Sequence, residues 1–190
     1  MKKNSVKSKA LFLDRDGVVN KDHGYVYQVC KFKLIKNIQI LIKKAIACNY
    51  KIIIITNQAG IGRNLYSEDD FEKITMYMKE LLSKFHCNID AVYYCPYHPT
   101  EGVGKYLQES YDRKPNPGML LKAQKDFNID MKKSIFIGDK ISDMKAGISA
   151  SVKTNILFKE KKTKKIENYE NKNLYNFLVI NNLTEAVKYL

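Results

Sequence analysis

The sequence predicts an α/β protein built on a mostly parallel β-sheet with helices on both faces. Three observations carry this. Short β-branched and aliphatic runs recur along the chain and alternate with segments whose apolar residues repeat at helical spacing. The best of these runs, Ile52–Ile55, is apolar throughout, the mark of a strand buried on both faces. Several runs also lead into polar residues of distinct chemistry, as strand ends do at the ligand-binding edge of an open α/β sheet.

In order, the first strand is Leu11-Phe12-Leu13, opening onto Asp14-Arg15-Asp16-Gly17. Strand side chains alternate, so if the extended conformation persists Asp14 and Asp16 face one way and Arg15 points elsewhere. Two like charges held together need a cation or a shared proton, so the stretch suggests a divalent metal, an acid–nucleophile pair, or both. Residues 20–31 are polar and aromatic, headed by Asp22-His23-Gly24-Tyr25, and read as a loop or small flap over the strand end. Ile38, Leu41, Ile42, Ala45 and Ile46 then mark a helix from about Asn37 to Cys48. The strand Ile52–Ile55 ends in Thr56-Asn57-Gln58.

Ser67 with Asp70 is an N-terminal capping pair. It opens a long helix whose apolar stripe is Phe71, Ile74, Met78, Leu81, Leu82 and Phe85. Ala91–Tyr94 is a short strand, and Cys95–Asp112 is a loop with two prolines and two glycines. Asn116 reads as an N-cap with Pro117 at the first helical position, opening a helix to about Phe127. Ser134–Ile137 is a strand running into Gly138-Asp139-Lys140, followed by a helix to about Ala150 and a strand at Thr154–Phe158. Residues 159–173, charged and rich in Asn, read as a mobile loop; Phe177–Ile180 and Thr184–Leu190 supply a last strand and helix.

A length of 190 residues fits a single domain over 1–190, with Met1–Lys9 as a basic leader. No apolar run is long enough to cross a bilayer, and no signal peptide is expected. Cys30, Cys48, Cys87 and Cys95 show no CxxC pairing, which suits reduced thiols in a cytoplasm. The net charge of +13 raises nucleic acid as a partner, but only three of the 33 basic residues are arginines and the lysines spread along the whole chain. That pattern reads as a solvated lysine surface, so neither nucleic acid nor membrane is expected as a partner. The three arginines, Arg15, Arg63 and Arg113, all sit beside the candidate motifs. A planar, permanently charged fork is something lysine cannot copy.

Four strand ends thus offer two carboxylates (Asp14, Asp16), a hydroxyl and an amide (Thr56, Asn57), two cations (Arg113, Lys114) and a further carboxylate (Asp139). Phosphoryl transfer needs this set: a carboxylate nucleophile, donors for phosphate oxygens, a neutralising cation and carboxylates for magnesium. The motifs resemble those of the haloacid dehalogenase (HAD) superfamily. Phe12–Gly17, Asp22-His23-Gly24-Tyr25-Val26, Thr56-Asn57-Gln58, Tyr93-Tyr94-Cys95-Pro96, Arg113-Lys114-Pro115 and Gly138-Asp139-Lys140 are, as an ordered set, similar to the D-glycero-D-manno-heptose 1,7-bisphosphate 7-phosphatase family, from about Ala10 to Phe158.

The resemblance implies a Rossmann-like HAD fold and hydrolysis of the C7 phosphate through an aspartyl-phosphate. The heptose 1-phosphate formed would feed nucleotide-heptose and surface-glycan synthesis. It implies that Asp14 is the nucleophile and a Mg²⁺ ligand. Asp16 would be the general acid/base and would ligate the metal through its backbone carbonyl. Asp139 would be the remaining metal ligand, with Asp143 a possible partner behind it. Thr56 and Asn57 would bind phosphoryl oxygens, and Lys114 would neutralise the phosphoryl group. Asp22, His23, Gly24, Tyr25, Gln58, Arg113 and Lys140 match positions that contact substrate. The partner implied is a small phosphosugar, and a monomer is expected.

Members of this family commonly carry a structural zinc in the loop before Arg-Lys-Pro. Here the matching positions are Cys95, Tyr97, Ser110 and Asp112, a poor donor set for zinc, and Cys95 with His98 makes at most a partial site. No zinc is expected, with the loop packed through Tyr93, Tyr94, Tyr97, Tyr106 and Tyr111. No insertion is long enough for a large cap domain, so residues 22–31 and Cys95–Asp112 are expected to cover the site. Alternatives are a histidinol-phosphate phosphatase, which the anionic preference of Arg113 opposes, a nucleic-acid 3′-end phosphatase, and a silent HAD-like binding protein. Arg15 is expected to anchor a loop.

Overall fold

Strands β1 (Lys9–Leu13), β2 (Tyr50–Asn57), β3 (Ala91–Cys95), β4 (Ile135–Gly138), β5 (Thr154–Phe158) and β6 (Leu178–Ile180) form one sheet in the order β3-β2-β1-β4-β5-β6. Every neighbouring pair is parallel. The structure, a computed structural model, describes residues 6–160 and 176–190. Residues 1–5 of the expected leader, and the expected loop beyond Glu160, lie outside the described residues.

Chain order runs outward from β1 to β3, then jumps back to start β4 on the other side of β1. The crevice where the order reverses, at the carboxyl ends of β1 and β4, is where ligands bind in such sheets. The alternation that sends side chains to opposite faces builds two cores. Leu11, Leu13, Ile52, Ile54, Ile135 and Ile137 pack with α1 (Ile38–Ala47) and α3 (Glu68–Ser83). Ala10, Phe12, Ile53, Ile55 and Phe136 pack with α4 (Gly118–Phe127) and α5 (Ile141–Ser149) on the other face. Each fully buried aliphatic side chain contributes roughly 1.5–3 kcal/mol, so the central strands are the most firmly held part of the molecule.

The capping pair at α3 forms in both directions: the Ser67 hydroxyl accepts from the Asp70 amide at 3.0 Å and the Asp70 carboxylate accepts from the Ser67 amide at 3.0 Å. The expected stripe is buried at Phe71, Ile74, Met78 and Leu82, but Phe85 lies beyond the helix and is 39% exposed. Three other boundaries differ from expectation. Lys9 belongs to β1 rather than to a leader. Pro117, not Asn116, is the cap of α4, because the Asn116 amide donates to the Ser110 carbonyl instead. The C-terminal segment Leu183–Tyr189 is a 3-10 helix, capped by Asn182. A one-turn helix, α2 (Ala59–Gly62), follows β2 directly.

Candidate active site

Asp14 leaves β1 and Asp139 leaves β4, so the strand reversal places them side by side. One carboxylate oxygen from each of Asp14, Asp139 and Asp143 lies within 4.8 Å of the others. The backbone is shaped for this approach. Gly17 has φ +91°, and a Cβ there would sit 2.5 Å from Asp139 Oδ2, so only glycine fits. Asp143, in the first turn of α5, accepts the Lys140 amide at 2.8 Å and is fully buried.

Contrary to expectation Arg113 and Lys114 do not stand at a strand end, since among the described residues no strand lies between β3 and α4; Lys114 joins the group from the loop before α4. It is 4% exposed; its ammonium donates to the Ile55 carbonyl at 2.8 Å and is ion-paired with Asp14 Oδ1 at 2.9 Å and Asp143 Oδ1 at 2.7 Å. Asn57, at the end of β2, holds this lysine by its backbone: the amide side chain accepts from Lys114 N and donates to Lys114 O, each at 3.0 Å. The Asn57 side chain is thereby committed to placing Lys114.

Negative charge exceeds positive charge in this cluster. Burial pushes the Asp14 carboxyl up to about 8; Lys114 opposes the shift, and Asp143 and Asp139 add to it. Burial also raises Asp139. Burial alone would lower the Lys114 ammonium, but Asp14 and Asp143 outweigh it and hold it charged. Asp139 Oδ1 is buried without a hydrogen-bond partner among the described residues. An orphaned carboxylate oxygen, two raised carboxyls and three oxygens in reach of one another fit a small hard cation, whose charge would return Asp14 to its ionised form.

A cavity of about 530 Å³ opens over this cluster. Every expected site residue lines it except His23 and Asp139, which face a neighbouring hollow beside Gly17 and Lys21. Asp22 borders both, its carboxylate 3.3 Å from the Lys140 ammonium. Arg63, Tyr66 and Ser142 also line the cavity and carry no sequence motif of their own. Tyr66 matters through Gln58: its hydroxyl donates to Gln58 Oε1 at 2.5 Å, while Gln58 Nε2 donates to Thr56 Oγ1 at 2.8 Å and to Asp16 Oδ2 at 3.0 Å. Gln58 is 2% exposed, so it organises its neighbours from within the wall.

Arg15 departs from the alternating-strand expectation. The chain turns after Leu13, with the Arg15 carbonyl accepting from the Val19 and Asn20 amides, and the guanidinium comes back onto Asp16. Its other bond, to the Val26 carbonyl at 2.7 Å, does tie down the flap. The Asp16 side chain lines the cavity but stands outside the acidic trio.

Comparison with known proteins agrees with this geometry. The polynucleotide kinase 3 phosphatase family model matches residues 10–172. The D-glycero-alpha-D-manno-heptose-1,7-bisphosphate 7-phosphatase of Burkholderia mallei is 51% identical over 152 residues, covering 80% of each chain. The chain belongs to the heptose-bisphosphate phosphatase family of the HAD superfamily. The corresponding beta-anomer phosphatase of Haemophilus influenzae is 44% identical, over 79% of this chain and 81% of its own length. Among solved structures, D,D-heptose 1.7-bisphosphate phosphatase from B. bronchiseptica, complexed with magnesium and phosphate, superposes with a TM-score of 0.78 at 22% identity, covering 95% of this chain and 96% of its own.

Against this family, the Cys95–Asp112 loop stands out. Cys95 is fully buried, with Ser110 and the Tyr97 backbone as hydrogen-bond partners, and burial pushes its thiol up. Asp112 is ion-paired with Lys122. Both His98 nitrogens are engaged: Nδ1 accepts the Glu101 amide at 3.1 Å and Nε2 lies 3.1 Å from the Glu101 carboxylate. These residues do not fit zinc. The loop is held instead by a Glu68 carboxylate at the start of α3 that accepts from both the Tyr94 and Tyr106 hydroxyls, with the Tyr97 ring 6.0 Å from that of Tyr106. Tyr93 bonds Asp126 at 2.6 Å, whereas Tyr111, expected in this packing, is 63% exposed. No residue from 95 to 112 lines the cavity. Contrary to expectation the loop braces the site from outside, through the Tyr97 carbonyl on Arg113 and Glu101 on Arg63.

Proposed function

We propose that this chain removes the C7 phosphate of D-glycero-D-manno-heptose 1,7-bisphosphate, as a Mg²⁺-dependent phosphatase acting on a small phosphosugar. The observation that carries the reading is the buried Asp14–Lys114–Asp143 group with Asp139 beside it at the strand reversal. Asp14 and Asp139 would hold Mg²⁺, with the Asp16 backbone carbonyl; the ion would neutralise the bound phosphoryl group. The magnesium and phosphate in the B. bronchiseptica relative support this choice of metal.

Asp14 Oδ1 accepts from the Arg15 amide at 2.8 Å and faces Lys114, which leaves Oδ2 to attack phosphorus. As the phosphorus–oxygen bond to the sugar breaks, Asp16 gives its proton to the leaving oxygen. Asp16 then takes a proton from a water molecule as the water oxygen bonds to phosphorus and the bond to Asp14 Oδ2 breaks, which releases inorganic phosphate and restores the Asp14 carboxylate. Lys114 and the Thr56 hydroxyl hold the phosphoryl oxygens through both steps. Arg113 and Arg63, lining the same cavity, suit the second phosphate of a bisphosphate and oppose a cationic substrate such as histidinol phosphate. Monomeric action in the cytoplasm completes the reading; among the described residues no helix is long and apolar enough to cross a membrane.

A second reading, release of a 3′ phosphate from nucleic acid, draws on the description of the matching family model and on the charge of +13. One panel separates the two. Purified protein with Mg²⁺ is offered heptose 1,7-bisphosphate, fructose bisphosphate, histidinol phosphate and a 3′-phosphorylated oligonucleotide. The highest kcat/KM is expected for the heptose; a preference for the oligonucleotide or for histidinol phosphate overturns the proposal.

A further inference from the structure

Arg15 is 1% exposed and is the largest fully buried side chain among the described residues, in a chain with only three arginines. Burying a guanidinium is costly unless its charge is paired and its donors are used. Here the charge is paired with the next residue, through Nε and Nη2, while Nη1 is buried without a hydrogen-bond partner among the described residues. Nε lies 3.1 Å from Asp16 Oδ2, and Nη2 lies 2.8 Å from Oδ2 and 3.0 Å from Oδ1. The same Nη2 reaches the Val26 carbonyl, and the guanidinium carbon sits 5.4 Å from the centre of the Phe71 ring. Adjacent residues in a strand cannot meet this way; the turn after Leu13 exists in a form that lets them.

The grip on Asp16 is completed from two other elements. Asn20 Nδ2 donates to Oδ1 at 2.9 Å and Gln58 Nε2 donates to Oδ2 at 3.0 Å. Both carboxylate oxygens are therefore fixed, and through Gln58 they are fixed relative to Thr56. An acid/base group must stand within a fraction of an ångström of the atom it serves, and an aspartate side chain alone is free to rotate. A planar fork removes that freedom, and a lysine, with its single point charge, does not.

We propose that Arg15 is the positioning residue for Asp16, aligning its carboxyl group for proton transfer to the leaving oxygen. This rests on the reading of Asp16 as the acid/base. Arg15 itself touches neither the phosphoryl group nor the sugar.

The test compares kcat/KM for heptose 1,7-bisphosphate, whose alkoxide must leave with a proton, and p-nitrophenyl phosphate, whose phenolate departs without one. Asp16→Asn is expected to lose kcat/KM on the phosphosugar by tenfold or more beyond its loss on p-nitrophenyl phosphate. Arg15→Met keeps the stem against Phe71 and is expected to show the same differential, on the order of 10–100-fold. Arg15→Lys, which keeps the charge but not the fork and is the easier variant to fold, is expected to retain most of the differential. If Arg15→Met and Arg15→Lys lose activity equally on both substrates while Asp16→Asn shows the differential, the positioning role is overturned and Arg15 is only a buried support. If Asp16→Asn itself shows no differential, the acid/base reading fails and the role of Arg15 fails with it.

Discussion

Magnesium should stabilise this protein more at alkaline than at acid pH. Without metal, burial pushes the Asp14 carboxyl from 3.8 up to about 8 and raises Asp139 as well. Raised carboxyl values mean that the folded state holds those protons more tightly than the unfolded chain does. The metal-free protein is therefore expected to lose stability as pH climbs from about 4 through about 8. Over the same window the protons that compete with Mg²⁺ are lost, so the metal binds better. At a magnesium concentration about 100 times its Kd the gain is about 2.7 kcal/mol. For a chain of 190 residues that is a rise in Tm of roughly 5–10 °C. Differential scanning calorimetry near pH 5 and near pH 8, with and without Mg²⁺, reads this directly. A large shift near pH 8, a small one near pH 5, and little shift at either pH in Asp139→Asn are expected. An equal shift at the two pH values, or an undiminished one in Asp139→Asn, refutes the assignment of the metal to the Asp14–Asp139 pair.

Other changes test separate parts of the site. Lys114→Met strips the buried carboxylates of their cation; kcat is expected to fall about 100–1000-fold. Stability should fall by about 3–5 kcal/mol, with part recovered as the pH is lowered and the carboxyls protonate. Gly17→Ala drives a methyl group into Asp139 and forces alanine to positive φ, so a weaker Mg²⁺-dependent Tm shift is expected, and an unchanged one contradicts the packing described. A zinc-selective chelator should leave Tm unmoved, because Glu68 and its two tyrosines hold the Cys95–Asp112 loop; stoichiometric zinc in the purified protein, bound through Cys95, would contradict this.

The sheet was legible because its information is local. Ile52–Ile55 can be buried only between two layers, and Ser67 with Asp70 signals a helix start by chemistry that acts over three residues. The site's main groups were legible for a related reason, since strand ends converge wherever the strand order reverses. What escaped depended on the tertiary fold. Alternation holds only while the chain is extended, and it stops at Leu13, so Arg15 and Asp16 meet instead of diverging. Nothing local shows that the Asn57 side-chain amide faces the Lys114 backbone, 57 residues away. Tyr66 carries no periodic or motif signal and acts only through Gln58. Tyr111 lies close in sequence to the packing tyrosines, yet the loop carries it into solvent.

The central claim is that Asp14 takes the phosphoryl group. Asp16→Asn, in which the base for the second step is missing, is mixed with p-nitrophenyl phosphate and Mg²⁺, quenched in acid within the first turnover, and digested for mass analysis. The account expects a burst of about one p-nitrophenolate per enzyme, with one phosphoryl group on the peptide that carries Asp14. A burst with the phosphoryl group on any other residue, or p-nitrophenolate released from the outset together with free phosphate, would contradict it.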